Sequence, residues 1–204
     1  MLVLYIVMGV IVVALIVLTV IYFQKKKKEK QAAAAGGEVV APGGDDISVL
    51  IHEAEGKLSA AKLEQGAKVA NLPVYLIMGE PGTTKTTVML HSGLEPELLA
   101  GQVYQAGNVA PTRTANLWFS RRAVFAEAGG PMLGDPGKWS RLVKRLQPRA
   151  SVVGKGEQAP RAAVVCFDCE TFTRPGSADI ATNAARTLHA RLGEISQAMG
   201  INLP

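Results

Sequence analysis

Residues 73–90, PVYLIMGEPGTTKTTVML, constrain the fold more than any other stretch of the chain. A short, continuous apolar run without polar alternation reads as a parallel strand buried on both faces. A glycine loop follows it, and then a helix starting near Lys85 and stopped by Gly93. The loop approximates the phosphate-binding pattern G-x-x-x-x-G-K-[ST] from Gly79 to Lys85-Thr86, but Thr84 stands where the second glycine belongs. In such a loop, backbone N–H groups and the positive end of the helix dipole surround one point. Lys85 would reach the β- and γ-phosphates, and the Thr86 hydroxyl would ligate Mg²⁺. Gly79 and Gly82 allow the turn and Pro81 stiffens it. Glu80, Thr83, Thr84 and Thr87 complete the expected nucleotide-binding set. A forced left-handed conformation at Thr84 would cost about 1–2 kcal/mol, enough to weaken binding roughly tenfold without abolishing it. The alternative is a loop kept for packing, with its threonines capping the helix.

A second constellation lies in RRAVFAEAGG, residues 121–130. An apolar strand ends in Glu127, with Gly130 three positions on, as in the D-x-x-G element of GTPase-like proteins. The acid would hold the Mg²⁺ shell, and the Gly130 N–H would contact the γ-phosphate. Glutamate is one methylene longer than aspartate, so the metal geometry would have to shift. Thr112, on the loop preceding residues 115–120, stands where a threonine would sense the γ-phosphate and complete the metal set of Thr86, Thr112 and Glu127.

The rest of the chain alternates. Ile47, Leu50, Ile51, Ala54, Leu58 and Ala61 share a helical face, capped by Asp45 or Asp46, and the pattern predicts a helix to about Ala70. Residues 101–111 read as loop. ANLWFS and RAVFA predict an antiparallel hairpin turned at Ser120-Arg121, residues 138–146 a helix, and residues 162–167 a strand. Ile180, Ala184, Leu188, Leu192, Ile195 and Met199 mark a long amphipathic helix. Strands alternating with helices predict a P-loop NTPase-like three-layer α/β sandwich with a mainly parallel sheet over residues 47–204. Another strand would be expected after the last helix, so the domain reads as incomplete at Pro204.

Residues 2–23 carry no charge and are apolar on every helical face, about the length that crosses a bilayer. A cleaved signal peptide would need a basic start and a shorter apolar core, so one N-terminal transmembrane helix is expected. Residues 24–46 form a basic flank and flexible linker. Five lysines and one glutamate in residues 24–30 account for +4 of the net charge of +5. The basic balance therefore belongs to the membrane flank rather than to a nucleic-acid surface, and it places the domain that follows in the cytoplasm. Cys166 and Cys169 form a single C-x-x-C, without a second pair for zinc, and read as reduced thiols. His52, His91 and His189 show no ligand spacing.

The succession NLPVYLIMGEPGTTKTT, TRTANLWFSRRAVFAEAGG, KWSRLVKRL, AAVVCFDCETF and LHARLGEISQAMGINLP resembles the N-terminal cytoplasmic part of the IcmF/TssM family. These are inner-membrane components of bacterial type VI secretion systems. Gly79, Pro81, Gly82, Lys85, Thr86 and Thr87 match the family's loop. Thr84, Glu127 and the pair Pro131-Met132 depart from it. The resemblance implies a membrane-anchored structural subunit with a degenerate nucleotide site for ATP or GTP with Mg²⁺. It would be held in a hetero-oligomer with TssL-like inner-membrane and TssJ-like lipoprotein subunits and would face baseplate proteins. Two other readings stay open: a competent NTPase energising assembly or transport, and an unrelated membrane-tethered GTPase of the signal-recognition type.

Overall fold

The computed structural model describes residues 46–61, 67–105, 107–150, 157–200 and 202–203. Helix α1 (Asp46–Ala60) opens with an acidic residue in its first turn and buries Ile47, Ile51, Ala54 and Leu58 at helical spacing. It ends ten residues before the expected boundary, and a short 3₁₀ turn (Val69–Asn71) then leads into strand β1 (Val74–Met78). The loop after β1 feeds helix α2 (Lys85–Leu90). Strand β2 (Glu97–Ala100) and the two-residue strands β3 (Tyr104–Gln105) and β4 (Asn108–Val109) follow. Next come β5 (Ala115–Ser120), β6 (Ala123–Ala128), a 3₁₀ turn (Gly130–Gly134) and helix α3 (Pro136–Arg145). The chain closes with β7 (Arg161–Val165), α4 (Cys169–Thr173) and α5 (Ala178–Met199).

The five-stranded sheet has the order β2-β5-β6-β1-β7. β1 pairs parallel with β6 and β7, whereas β2–β5 and β5–β6 are antiparallel. The sheet is therefore mixed, which corrects the expectation of a mainly parallel one. The expected hairpin forms, turned at Arg121 and Arg122, both at positive φ (46° and 64°) as a two-residue turn of the primed type requires. The antiparallel edge strand β2 was not expected because Glu95-Pro96-Glu97 reads as a loop signal ahead of only four strand residues.

The two faces of the sheet are covered unequally. Val74, Leu76, Met78, Leu117, Val124 and Ala126 form one core with residues of α1, α3 and α5, including Leu58, Trp139 and Ile195. Alternate positions along the same strands point the other way. There Ile77 and Trp118 pack with Met89 of α2 and with Val103. That second layer is thin: Tyr75 stacks on Phe125 with centroids 5.0 Å apart and stays 38% exposed, and Val164 is 44% exposed. The symmetrical P-loop NTPase-like three-layer sandwich is thus not what forms. Six-residue α2 is the sole described helix contributing to the second core.

The expected transmembrane helix also has no counterpart in what is described. No helix among the described residues is long and apolar enough to cross a membrane. Residues 2–23, on which that expectation fell, lie outside them, as do the basic segment 24–30 and the linker up to residue 45.

At the edge of the sheet remote from the glycine loop, Arg161 is 4% exposed and donates to five carbonyls, those of Leu146, Leu72, Ala159, Pro160 and Ala70, at 2.7–3.1 Å. Burial pulls its pKa down to about 10, so it stays charged at neutral pH. No carboxylate among the described residues contributes to that shift. Its role is to gather strand-entry backbone that would otherwise be buried without partners.

Candidate functional site

The site forms where β1 and β6 end, because their parallel register sets Ile77 beside Glu127 and so brings the glycine loop level with the acid. Open α/β sheets place ligands at this carboxyl edge. Antiparallel β5 starts at the same level, opposite the end of β6, and carries Asn116 directly across from Glu127. Thr112 comes in from the segment just before it.

The loop's shape follows from two close approaches and two left-handed residues. A Cβ on Gly79 would lie 2.7 Å from Thr83 Oγ1 and nearer still to the Cys166 carbonyl. A Cβ on Gly130 would lie 2.6 Å from Pro81 Cα, so the second constellation closes directly onto the loop. Gly82 has φ +86°, which costs glycine nothing. Thr84 has φ 53° and ψ 23°, the left-handed region, without the glycine that usually occupies it. Its hydroxyl makes no capping bond to α2, and Thr83 Oγ1 donates to the Glu80 carbonyl at 2.9 Å instead. The threonines are therefore not retained as helix caps. The loop holds its conformation despite the residue at position 84.

Lys85 is 6% exposed. Its ammonium group donates to the carbonyls of Gly79 at 2.8 Å and Glu80 at 3.0 Å, and to Thr83 Oγ1 at 3.2 Å. Desolvation lowers its pKa, and the negative charge of Glu127 opposes that shift, with smaller contributions from Cys166 and Glu80. The helix behind it is only six residues long, so the lysine rather than the helix dipole supplies most of the positive potential.

Glu127 is fully buried and accepts four hydrogen bonds. Oε1 takes the hydroxyls of Thr86 at 2.5 Å and Thr112 at 2.7 Å. Oε2 takes Asn116 Nδ2 and Trp118 Nε1, each at 3.2 Å. The three residues expected to hold a metal are thus in direct contact. Thr86 Oγ1 and Thr112 Oγ1 stand 3.1 Å apart. Octahedral Mg²⁺ with bonds of 2.0–2.1 Å spaces neighbouring ligands by about 2.9 Å, so the two hydroxyls fit adjacent ligand positions. Because Glu127 receives their protons, Thr86 keeps its lone pairs for a cation and Thr112 keeps one, its other accepting from Asn116 Nδ2. The carboxylate itself would act one shell further out.

These groups line a cavity of about 310 Å³ walled by Pro81–Thr87, Val109–Arg113, Glu127, Gly130 and Pro131. That is the lower end of the size of small-molecule sites, enough for a polyphosphate with part of its sugar. All the sequence-predicted residues except Gly79 and Glu80 line it, and those two present the carbonyls that hold Lys85. Reasoning from sequence missed three members. Arg113, exposed beside Thr112, adds a cation to the wall. Asn116 and Trp118 complete the shell of Glu127. The strand alternation that sets residues 116 and 118 on the same face as Glu127 was visible in the sequence, but their register against β6 was not. Cys166 and Cys169 are free thiols, and Cys166 stands against the loop at Gly79.

The chain is similar to the type VI secretion system component TssM1 of Pseudomonas aeruginosa, with 28% identity over 165 residues. The match covers 74% of this chain and 14% of that protein, so this chain spans a small part of its relative. No family model matches, and no solved structure does. The resemblance to the IcmF/TssM family carried by the sequence motifs is supported by this relative.

Proposed function

We propose that this chain is the N-terminal part of a TssM-type component of a bacterial type VI secretion system, working at the inner membrane as a structural subunit. Its glycine loop holds a nucleoside triphosphate with Mg²⁺. The observation that carries the second statement is the meeting of Lys85, Thr86, Thr112 and Glu127, drawn from three separate segments, around one phosphate-sized cavity. Lys85 and Arg113 offset phosphate charge, the loop supplies backbone N–H donors, and the two threonine hydroxyls bind the cation, which neutralises the phosphates.

The geometry favours binding over turnover. Glu127 is the one carboxylate among the described lining residues, and its four acceptor positions are already filled. The residues after Gly130 are Pro131, Met132 and Leu133, and the last two are buried. None of these can orient an attacking water. A site that binds without hydrolysing suits a subunit whose ligand stabilises an assembly.

The partners follow from the same reading: TssL-like and TssJ-like subunits in the membrane complex and baseplate proteins in the cytoplasm. Purification of the tagged full chain from its native membranes, with mass spectrometry of what accompanies it, tests the assembly. Subunits of a secretion membrane complex are the expected companions. A chain recovered from the soluble fraction without them contradicts the assignment.

A further inference from the structure

We propose that Asn116 and Trp118 are positioning residues for the cation-binding side of the phosphate site, acting through Glu127; this rests on the nucleotide reading above. Glutamate in this place has one more rotatable bond than aspartate, so its carboxylate needs fixing if it is to face two hydroxyls at once. β5 does this with two donors on one face. Asn116 is 1% exposed and directly opposite Glu127, and Trp118 is 2% exposed and two residues further along. Both N–H groups meet Oε2, which leaves Oε1 alone to receive Thr86 and Thr112.

Asn116 does more than bind the acid. Its amide nitrogen also donates to Thr112 Oγ1 at 3.1 Å, and its Oδ1 accepts the backbone N–H of Gln102 at 3.0 Å. One buried amide therefore joins the segment after β2, Thr112 and the acid. Trp118 joins the acid to the second core, where its ring packs with Ile77, Met89 and Val103. The bland alternative is that the indole is there for packing and its N–H takes the nearest acceptor. On our reading, the N–H pair sets where Oε1 stands and hence where both threonine lone pairs point.

Trp118→Phe separates the two, because phenylalanine keeps an apolar ring in the core and removes the donor. The assay is binding of a fluorescent GTP analogue to the full chain while MgCl₂ is varied. We expect Trp118→Phe to raise the Mg²⁺ concentration for half-maximal binding about tenfold. That is the effect of losing one hydrogen bond to a charged group. Should Trp118→Phe not fold, the native indole serves as reporter, since Trp139 is the one other tryptophan. In the Trp139→Phe chain, Mg²⁺ with GTP should shift the emission of Trp118, and Glu127→Gln should abolish that shift. A Mg²⁺ curve for Trp118→Phe that overlays the wild type, or an emission indifferent to Mg²⁺ with GTP, overturns the positioning role alone. Wild-type protein that binds no nucleotide at any Mg²⁺ concentration overturns the reading of the site and this proposal with it.

Discussion

Replacing Thr84 with glycine should stabilise the protein, contrary to the usual effect of adding a glycine. The residue sits at φ 53°, where a side chain with a Cβ costs about 1–2 kcal/mol, and β-branching places threonine at the upper end. Nothing offsets this locally, because the hydroxyl makes no cap bond and the side chain is exposed. Glycine in turn loosens the unfolded chain by about 0.4–1 kcal/mol. The net gain is then about 0.5–1 kcal/mol, which for a domain of this size raises Tm by roughly 1–4 °C. Urea denaturation of the wild type, Thr84→Gly and Thr84→Ala at constant m measures it. Alanine removes the β-branch but keeps the Cβ, so the predicted order of stability is Gly above Ala, with Ala at or slightly above Thr. Thr87→Gly, inside α2, supplies the opposite sign, a loss of roughly 0.3–0.5 kcal/mol, since threonine is already a weak helix former. If Thr84→Gly is no more stable than Thr84→Ala, the left-handed strain at this position is refuted.

Two further outcomes follow from the same structure. Arg161→Met should cost on the order of 3 kcal/mol in chemical denaturation, because it strands buried carbonyls, and Arg161→Lys should recover only part of this since an ammonium cannot span five acceptors. Asp135 and Asp168 cap α3 and α4. The Lys138 backbone N–H lowers the pKa of the first, and the Thr171 hydroxyl that of the second, from the usual 3.8. Their folded-state pKa values lie below the unfolded ones, so their contributions are complete above pH 3.8 and disappear as pH falls through the lowered values. Thermal melts across pH 2–5 should show this loss, and Asp135→Asn with Asp168→Asn should flatten it.

β1, the glycine loop, the β5–β6 hairpin, α3 and α5 were readable in the sequence because each has one strong local signal: an apolar run, a glycine pattern, or an apolar stripe. The hairpin's turn was placed one residue early, since Arg121-Arg122 gives no glycine or asparagine cue for positive φ. β2 was hidden by its proline neighbour, and with it the mixed character of the sheet, because strand direction depends on long-range pairing. α1 stops at Ala60, short of the expected end, because Ala61 continues the apolar spacing but is exposed and has no core to cover.

The site divides the same way. Gly79, Lys85, Thr86 and Glu127 follow from motif chemistry, and the strain at Thr84 was foreseeable from its place in the loop. Asn116 and Trp118 were not foreseeable as partners of Glu127, because neither belongs to a phosphate motif and their contact rests on register. Arg113 stood beside Thr112 in plain view, but an arginine in a loop carries no signal until a cavity is seen to include it.

On the function proposed, Lys85, Thr86, Thr112 and Glu127 form a working phosphate and Mg²⁺ site. Equilibrium binding of fluorescent ATP and GTP analogues to the full chain, with Mg²⁺ and with EDTA, tests it most directly. Saturable binding that weakens on removing Mg²⁺ and is lost in Lys85→Ala, with no phosphate release over the same period, is the expected result. No saturable binding to the wild type, or binding that survives Lys85→Ala unchanged, would contradict it.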